Sequence, residues 1–240
     1  MGDTKLTFKR YEKKYRLSAE QYTSLMEELN KYIKPDQYYS STVCSIYYDS
    51  DDYSLIRNSI EGPVYKEKLR VRSYNVPKDD DRVFVELKKK YKGIVYKRRV
   101  SMTAKEAELY LAGEAPAPED SQMIREIGWF LKMNNPSPKA FIGCDRLAFV
   151  AKDNPDLRIT FDKDIRWRED NLSLTAGSYG ENLLHNGEII MEIKIPGAAP
   201  IWLAELLSRH DVYPSGFSKY GNCYKEHILE KYLDGVNSYV

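Results

Sequence analysis

The seven residues Lys66-Glu67-Lys68-Leu69-Arg70-Val71-Arg72 restrict the fold more than any other stretch of the chain. Read with the two-residue period of a strand, Lys66, Lys68, Arg70 and Arg72 share one face, and Leu69 and Val71 the other. Val83 to Lys88 repeats the pattern, with Glu86 and Lys88 opposite Val83, Val85 and Leu87, and Val95 to Val100 puts Lys97 beside Arg99. One such strand is an ordinary antiparallel strand with a wet face. Several in one sheet are not, because like charges opposed on neighbouring strands destabilise it. A sheet of this kind needs a polyanion or counter-charges on its charged face.

The pattern returns late in the chain. Arg146 lies in Cys144–Phe149, Arg158 shares a face with Thr160 and Asp162, and Glu192 and Lys194 lie opposite Met191 and Ile193. Early on, Arg10, Glu12 and Lys14 alternate with Tyr11 and Tyr15. If these strands close into a barrel, Arg10, Lys14, Lys68, Arg70, Arg72, Lys88, Lys97, Arg99, Arg146, Arg158 and Lys194 line its lumen, interrupted by Glu12, Glu86, Asp162 and Glu192. Crowded cations repel and lose hydration when such a lumen is empty. A phosphate chain relieves both costs, and arginine grips it bidentately. The carboxylates suit a hard divalent cation, Mg²⁺ or Mn²⁺, bridging phosphate oxygens.

Helices alternate with the strands. Ser18 with Gln21 and Thr103 with Glu106 are capping boxes. Tyr22, Leu25, Met26, Leu29 and Ile33 follow at helical spacing, with Pro35 as the stop. Asp49 to Asp52 caps a short helix ended by Gly62-Pro63, and Gly113 closes the helix begun at Thr103. Met123–Met133 predicts a helix that packs Trp129 and Phe130, and Pro200 opens one that packs Trp202, Leu203, Leu206 and Leu207. Strands are predicted at Thr42–Tyr48, Tyr65–Tyr74, Arg82–Lys90, Ile94–Ser101, Ala140–Ala151, Leu157–Asp162 and Glu188–Ile195, with a weak pair around Leu172–Ala176. The expected architecture is a single α+β domain over residues 1–240, its antiparallel strands closed into a tunnel-like barrel with helices outside.

Lys and Arg total 37 against 36 Asp and Glu, so a general nucleic-acid coat is excluded, and the basic strands lack the interleaved exposed aromatics that stack bases. No Walker A or Gly-x-Gly-x-x-Gly loop is present. Cys44, Cys144 and Cys223, odd in number and without CxxC spacing, predict buried thiols in a reducing compartment. The polar N-terminus and the lack of a long apolar run predict a cytoplasmic chain without a transmembrane segment, which leaves room for a membrane partner supplied by another chain.

Together, Arg10–Tyr15, Tyr47-Tyr48-Asp49-Ser50, Lys68-Leu69-Arg70-Val71-Arg72, Glu86-Leu87-Lys88, Lys97-Arg98-Arg99, Glu192-Ile193-Lys194 and Phe217-Ser218-Lys219-Tyr220 resemble the VTC domain. That domain is the polyphosphate-polymerase catalytic domain of the vacuolar transporter chaperone complex and its bacterial relatives, a branch of the triphosphate tunnel metalloenzymes. The resemblance runs from about Phe8 to the last helix. It implies transfer of the γ-phosphoryl group of ATP to inorganic polyphosphate with Mn²⁺ or Mg²⁺. By position it makes Lys14, Arg70, Arg72, Lys88, Lys97, Arg146, Arg158 and Lys219 catalytic, with Arg10, Lys68, Arg99 and Lys194 on substrate. Glu192 would hold the metal, helped by Glu12, Glu86 or Asp162 through water. The broader superfamily opens with Glu-x-Glu-x-Lys, and here Arg10 replaces the first glutamate, which fits the polymerase branch. A triphosphatase or polyphosphatase using the same tunnel and a non-catalytic polyphosphate sensor are the rival readings.

Overall fold

The computed structural model describes residues 11–62, 64–92 and 94–237. Arg10 lies outside the described residues. The chain packs as two compact units, neither continuous in sequence. Unit 1 holds residues up to Ser41, Cys144–Ile165 and Leu184–Phe217; unit 2 holds Thr42–Gly143, Arg166–Leu183 and residues from Ser218 onward.

Unit 1 contains β1 (Tyr11–Leu17) and α1 (Ala19–Leu29). The predicted capping box is formed: Ser18 Oγ accepts from Gln21 N, and the Gln21 side chain accepts from Ser18 N. The helix ends at Asn30, before the predicted stop, and Ile33 and Pro35 begin β2 (Ile33–Asp49). Pro35 lies outside Val43–Tyr48, the stretch of β2 in register with β3, so its missing N–H breaks no rung of that ladder.

Unit 2 continues with α2 (Ser54–Glu61), β3 (Tyr65–Tyr74), β4 (Arg82–Tyr91), β5 (Ile94–Thr103), α3 (Ala104–Leu111) and α4 (Gln122–Asn134). β6 (Ser137–Ala151) and β7 (Arg158–Arg168) follow, then the two-residue β8 (Glu181–Asn182) and β9 (Ile189–Ile195). β7 outruns its predicted end at Asp162 and pairs with β8. The strand pair predicted around Leu172–Ala176 is absent. Buried Arg168 donates there to the carbonyls of Asn171, Ser173 and Tyr179, which holds those carbonyls in a loop. α5 (Ile201–Arg209) starts after Pro200. α6 (Lys219–Cys223), a π-helical turn (Tyr224–Ile228) and α7 (Leu229–Asn237) end the described chain. No helix among the described residues is long and apolar enough to cross a membrane.

The pairing is antiparallel, as expected, with strand order β1-β9-β7-β6-β2-β3-β4-β5. Closure into a barrel is not part of this order. It is an open path from β1 to β5, with no ladder joining those two among the described residues. Lys13 on β1 and Lys97 and Arg98 on β5 are exposed, and exposed like charges oppose edge-to-edge pairing.

Each unit has its own core. In unit 1, Leu17, Ile159, Phe161, Met191 and Ile193 pack with Leu25 and Leu29 of α1 and Leu203 and Leu206 of α5. In unit 2, Leu69, Val71, Val83, Val85, Leu87 and Val100 pack against Ala107 and Leu111 of α3 and Ile124, Ile127 and Phe130 of α4. Each such side chain taken from water contributes about 1.5–3 kcal/mol. Trp129 is not core: it is 65% exposed, because it stands about 200° round the helix from Ile127. The three cysteines are buried free thiols.

Asp49, fully buried at the end of β2, ties the unit 2 sheet to two helices. Its carboxylate accepts from Leu55 N and Ile56 N of α2, both at 3.0 Å, and from the Tyr220 hydroxyl of α6 at 3.0 Å. Asp49→Ala strands all three donors, so unfolding should cost about 2–4 kcal/mol less. A urea titration reads this as a lower midpoint at unchanged slope; an unmoved midpoint would dismiss the role.

Candidate active site

The charged face of unit 2 is built by register. Across β2, β3, β4 and β5 one rung reads Tyr47, Arg70, Glu86, Arg99, and the neighbouring rung on β3 to β5 reads Lys68, Lys88, Lys97. The opposite faces of the same strands are core, so the alternation that buries Leu69, Leu87 and Val85 forces these charges together. Glu86 is 1% exposed and stands among four cations. Arg70 Nε donates to Oε2 at 2.7 Å and Arg72 Nε lies 4.0 Å from it, while Lys97 Nζ and Arg99 Nε lie 2.8 and 3.4 Å from Oε1. Burial pushes the Glu86 carboxyl up, but Arg70, Arg72 and Lys97 outweigh it and hold its pKa at about 2. The pairing raises Arg70 above its ordinary value against its own desolvation.

Cations outnumber carboxylates here four to one. Among the described residues, Nε and Nη2 of Arg99 are buried without a hydrogen-bond acceptor, its guanidinium lying 3.4 Å over the Phe84 ring. Farther along the sheet Lys66 opposes Lys90, and burial together with Lys90 lowers the Lys66 pKa. Lys68 donates to Ser218 Oγ at 3.2 Å, the residue that caps α6, and Lys219 is the first residue of that helix.

Unit 1 carries a second cluster on the same plan. In register, Lys14 of β1 opposes Glu192 of β9, which opposes Thr160 of β7; one rung along stand Glu12, Lys194 and Arg158. Buried Glu192 pairs with Lys194 and lies 3.9 Å from Lys14 Nζ, which donates to the Phe217 carbonyl at 3.1 Å. Burial raises the Glu192 carboxyl, and Lys194, Lys14 and Arg146 overcome it, leaving the pKa at about 2. Arg146 grips Asp162 through two hydrogen bonds of 2.6 and 2.8 Å. Arg158 stands apart from this group, half-exposed and 3.8 Å from Asp36. Thr160 Oγ1 is buried with no hydrogen-bond partner among the described residues.

Apart from Arg10, which lies outside the described residues, the predicted residues fall into two groups, with Lys219 at the start of α6. Arg70, Arg72, Lys97, Arg99 and Glu86 meet directly, with Lys68 and Lys88 one rung away. Lys14, Lys194, Arg146 and Glu192 form the other group, with Glu12 and Arg158 at its margin. Asp36 as an arginine partner and Tyr47 as a member of the Arg70 rung had no assigned role in the sequence, whereas Asp162, expected among the lumen carboxylates, pairs with Arg146. The alternation of Ser45 and Tyr47 against Ile46 and Tyr48 is the signal that places Tyr47 on the charged face.

A family model, the VTC domain, matches residues 9–228. The chain belongs to the VTC domain family. No curated protein sequence matches it. Among solved structures, a candidate adenylate cyclase from Bacillus halodurans matches with a TM-score of 0.55 at 14% identity, covering 86% of this chain and 92% of that one. A candidate adenylyl cyclase from Hippeastrum, for which a dominant triphosphatase activity is described, matches with a TM-score of 0.52 at 16% identity, covering 87% and 92%. At these identities the likeness establishes the fold alone: this VTC domain shares the fold of those two proteins.

Does the VTC site fit a divalent cation? Among the described residues no three His, Cys, Asp or Glu side chains gather into a cage. A cation carried on phosphates needs only one or two carboxylates, with water and phosphate oxygens filling its shell. Glu192, with Lys194 at one oxygen and Lys14 3.9 Å from the other, is less crowded by cations than Glu86, which faces four, so it is the better placed of the two for that demand.

Removing the Glu86 charge leaves its cations uncompensated, so Glu86→Gln should destabilise the domain by about 3–5 kcal/mol. Inorganic tripolyphosphate should restore more stability to this variant than it adds to wild type. Thermal melts with and without tripolyphosphate decide it, and equal melting of variant and wild type counts against the cluster. The low pKa values of Glu86 and Glu192 also set a pH dependence. As pH falls below 4.5 the unfolded carboxyls take protons first, so stability present at neutral pH drains away between about 4.5 and about 2.

Proposed function

We propose that this chain is a polyphosphate polymerase: residues 1–240 act as one VTC-type domain that transfers the γ-phosphoryl group of ATP to the end of an inorganic polyphosphate chain. The observation that carries this reading is the four cations gathered on the one Glu86 carboxylate, with Nε and Nη2 of Arg99 buried without a hydrogen-bond acceptor among the described residues. A run of phosphates supplies the missing acceptors and counter-charge at once. The family match supports the same substrate class. The tunnel-like barrel implied by the VTC resemblance would enclose the phosphate chain.

The reaction needs no side-chain nucleophile. A terminal phosphate oxygen of the acceptor chain attacks the γ-phosphorus, the bond to the bridging oxygen breaks, and ADP leaves with that oxygen. The protein's part is in-line positioning and stabilisation of charge on the transferring group. Arg70, Arg72, Arg146 and Arg158 take the grip on phosphates, with Arg10, Lys68, Arg99 and Lys194 along the chain. Lys14, Lys88, Lys97 and Lys219 neutralise charge near the transferring group. Glu86 and Asp162 hold guanidiniums in fixed orientation, so no reorganisation is needed when charge shifts. Glu192 would hold Mn²⁺ or Mg²⁺, with Glu12 on the neighbouring rung; bound there, the metal draws charge from phosphate oxygens.

A second reading, hydrolysis of triphosphate or polyphosphate, is favoured by the triphosphatase activity described for the Hippeastrum protein of the same fold. It differs only in the nucleophile, water in place of a phosphate oxygen. Incubation with ATP and Mn²⁺, followed by gel separation, tells the two apart: a polymer ladder supports synthesis, orthophosphate alone supports hydrolysis. Arg70→Ala should lower turnover roughly 10²-fold or more while leaving the circular-dichroism spectrum intact. Wild-type turnover by that variant would remove Arg70 from the site.

A further inference from the structure

Tyr47 sits at the start of the Arg70 rung, 7% exposed, and its hydroxyl has an unusual set of neighbours. Arg70 Nη1 donates to it at 3.2 Å, and this is the only hydrogen bond the hydroxyl makes among the described residues. Its own proton therefore has no acceptor among the described residues. The groups facing it are Arg70 and Arg72 from β3 and Lys219 from α6, all cationic. Glu86 is turned to Arg70, Arg72, Lys97 and Arg99, and Asp49 accepts from Tyr220. A buried O–H costs free energy when it donates to nothing. Surrounded by donors, it calls for an anionic oxygen.

The ring is fixed. It stacks on Tyr220 with centroids 4.8 Å apart and planes at 15°, and Tyr220 is in turn held by Asp49. The hydroxyl therefore cannot swing away to water without breaking the stack.

We propose that the Tyr47 hydroxyl binds substrate directly, donating a hydrogen bond to a phosphate oxygen of the chain that Arg70 grips. This rests on the phosphate-binding reading of the unit 2 cluster and adds a neutral donor to its cations. A neutral donor acts only on an oxygen in the right direction, so it fixes where along the rung a phosphate stops. The same surroundings give the residue a signature. Burial raises the phenol, but Arg70, Arg72 and Lys219 overcome it and bring the pKa down to about 8. A phosphate accepting the proton must push that value back up.

The probe is inorganic tripolyphosphate, with binding followed by calorimetry and tyrosinate by ultraviolet difference absorbance. Tyr47→Phe keeps the stack and loses the donor. It should bind tripolyphosphate about 10- to 100-fold more weakly, as expected for a hydrogen bond to a charged group. Wild-type affinity should fall as pH rises through about 8, and the variant's should not. Wild-type protein should show a tyrosinate component near pH 8, absent from the variant, that moves upward when tripolyphosphate binds. Tripolyphosphate that binds wild type and variant equally, or that binds without moving the tyrosinate titration, overturns the assignment while leaving the phosphate site standing. No binding by wild type overturns both. Should the variant fail to fold, the wild-type titration with and without tripolyphosphate still decides the matter.

Discussion

The Glu86 carboxylate is the constraint on which unit 2 depends. It is buried, ionised and faced by Arg70, Arg72, Lys97 and Arg99, so it must be held open by the very charges it neutralises. A charge so deeply placed is tolerable only when paired and hydrogen-bonded, and the pairing works in both directions. Without Glu86 the arginines repel; without the arginines the carboxylate is stranded. The cluster is thus a pre-aligned set of donors.

Unit 1 solves the same problem with a different distribution. Glu192 takes two lysines, while Arg146 is handed to Asp162 and Arg158 lies near Asp36. Both glutamates occupy the charged face of a strand whose other face is sealed in a separate core. Cores of this kind are close-packed and fix strand positions to within small displacements. The charged groups inherit that rigidity, which the proposed phosphoryl transfer by positioning would require. On the reading proposed here, the difference between the two glutamates is functional: Glu86 organises cations, and Glu192 keeps the capacity to hold a metal.

Much of this was readable in the chain. The two-residue alternation at Lys66–Arg72 and Val83–Lys88 predicted which side chains share a face, and the register confirms it rung by rung. The capping boxes at Ser18 and Thr103 and the acidic cap at Asp49 were legible because capping is a local exchange between a side chain and the next turn. Legibility failed where tertiary partners overrode a local rule. Pro35 reads as a helix stop but sits in a strand, outside the stretch that pairs with β3. Trp129 reads as core but falls on the far side of its helix. The loop at Leu172–Ala176 reads as strand, but Arg168 claims its carbonyls.

The sequence by itself determined the alternation, and with it the sorting of charged from apolar faces, because a strand's period is a property of the backbone alone. It also determined that the charged face carries more cations than carboxylates. Only the tertiary structure decided which carboxylate answers which cation: Glu86 for Arg70, Asp162 for Arg146, Glu192 for Lys194. Ion pairing acts over a few ångströms, and those distances are set by register between strands far apart in the chain.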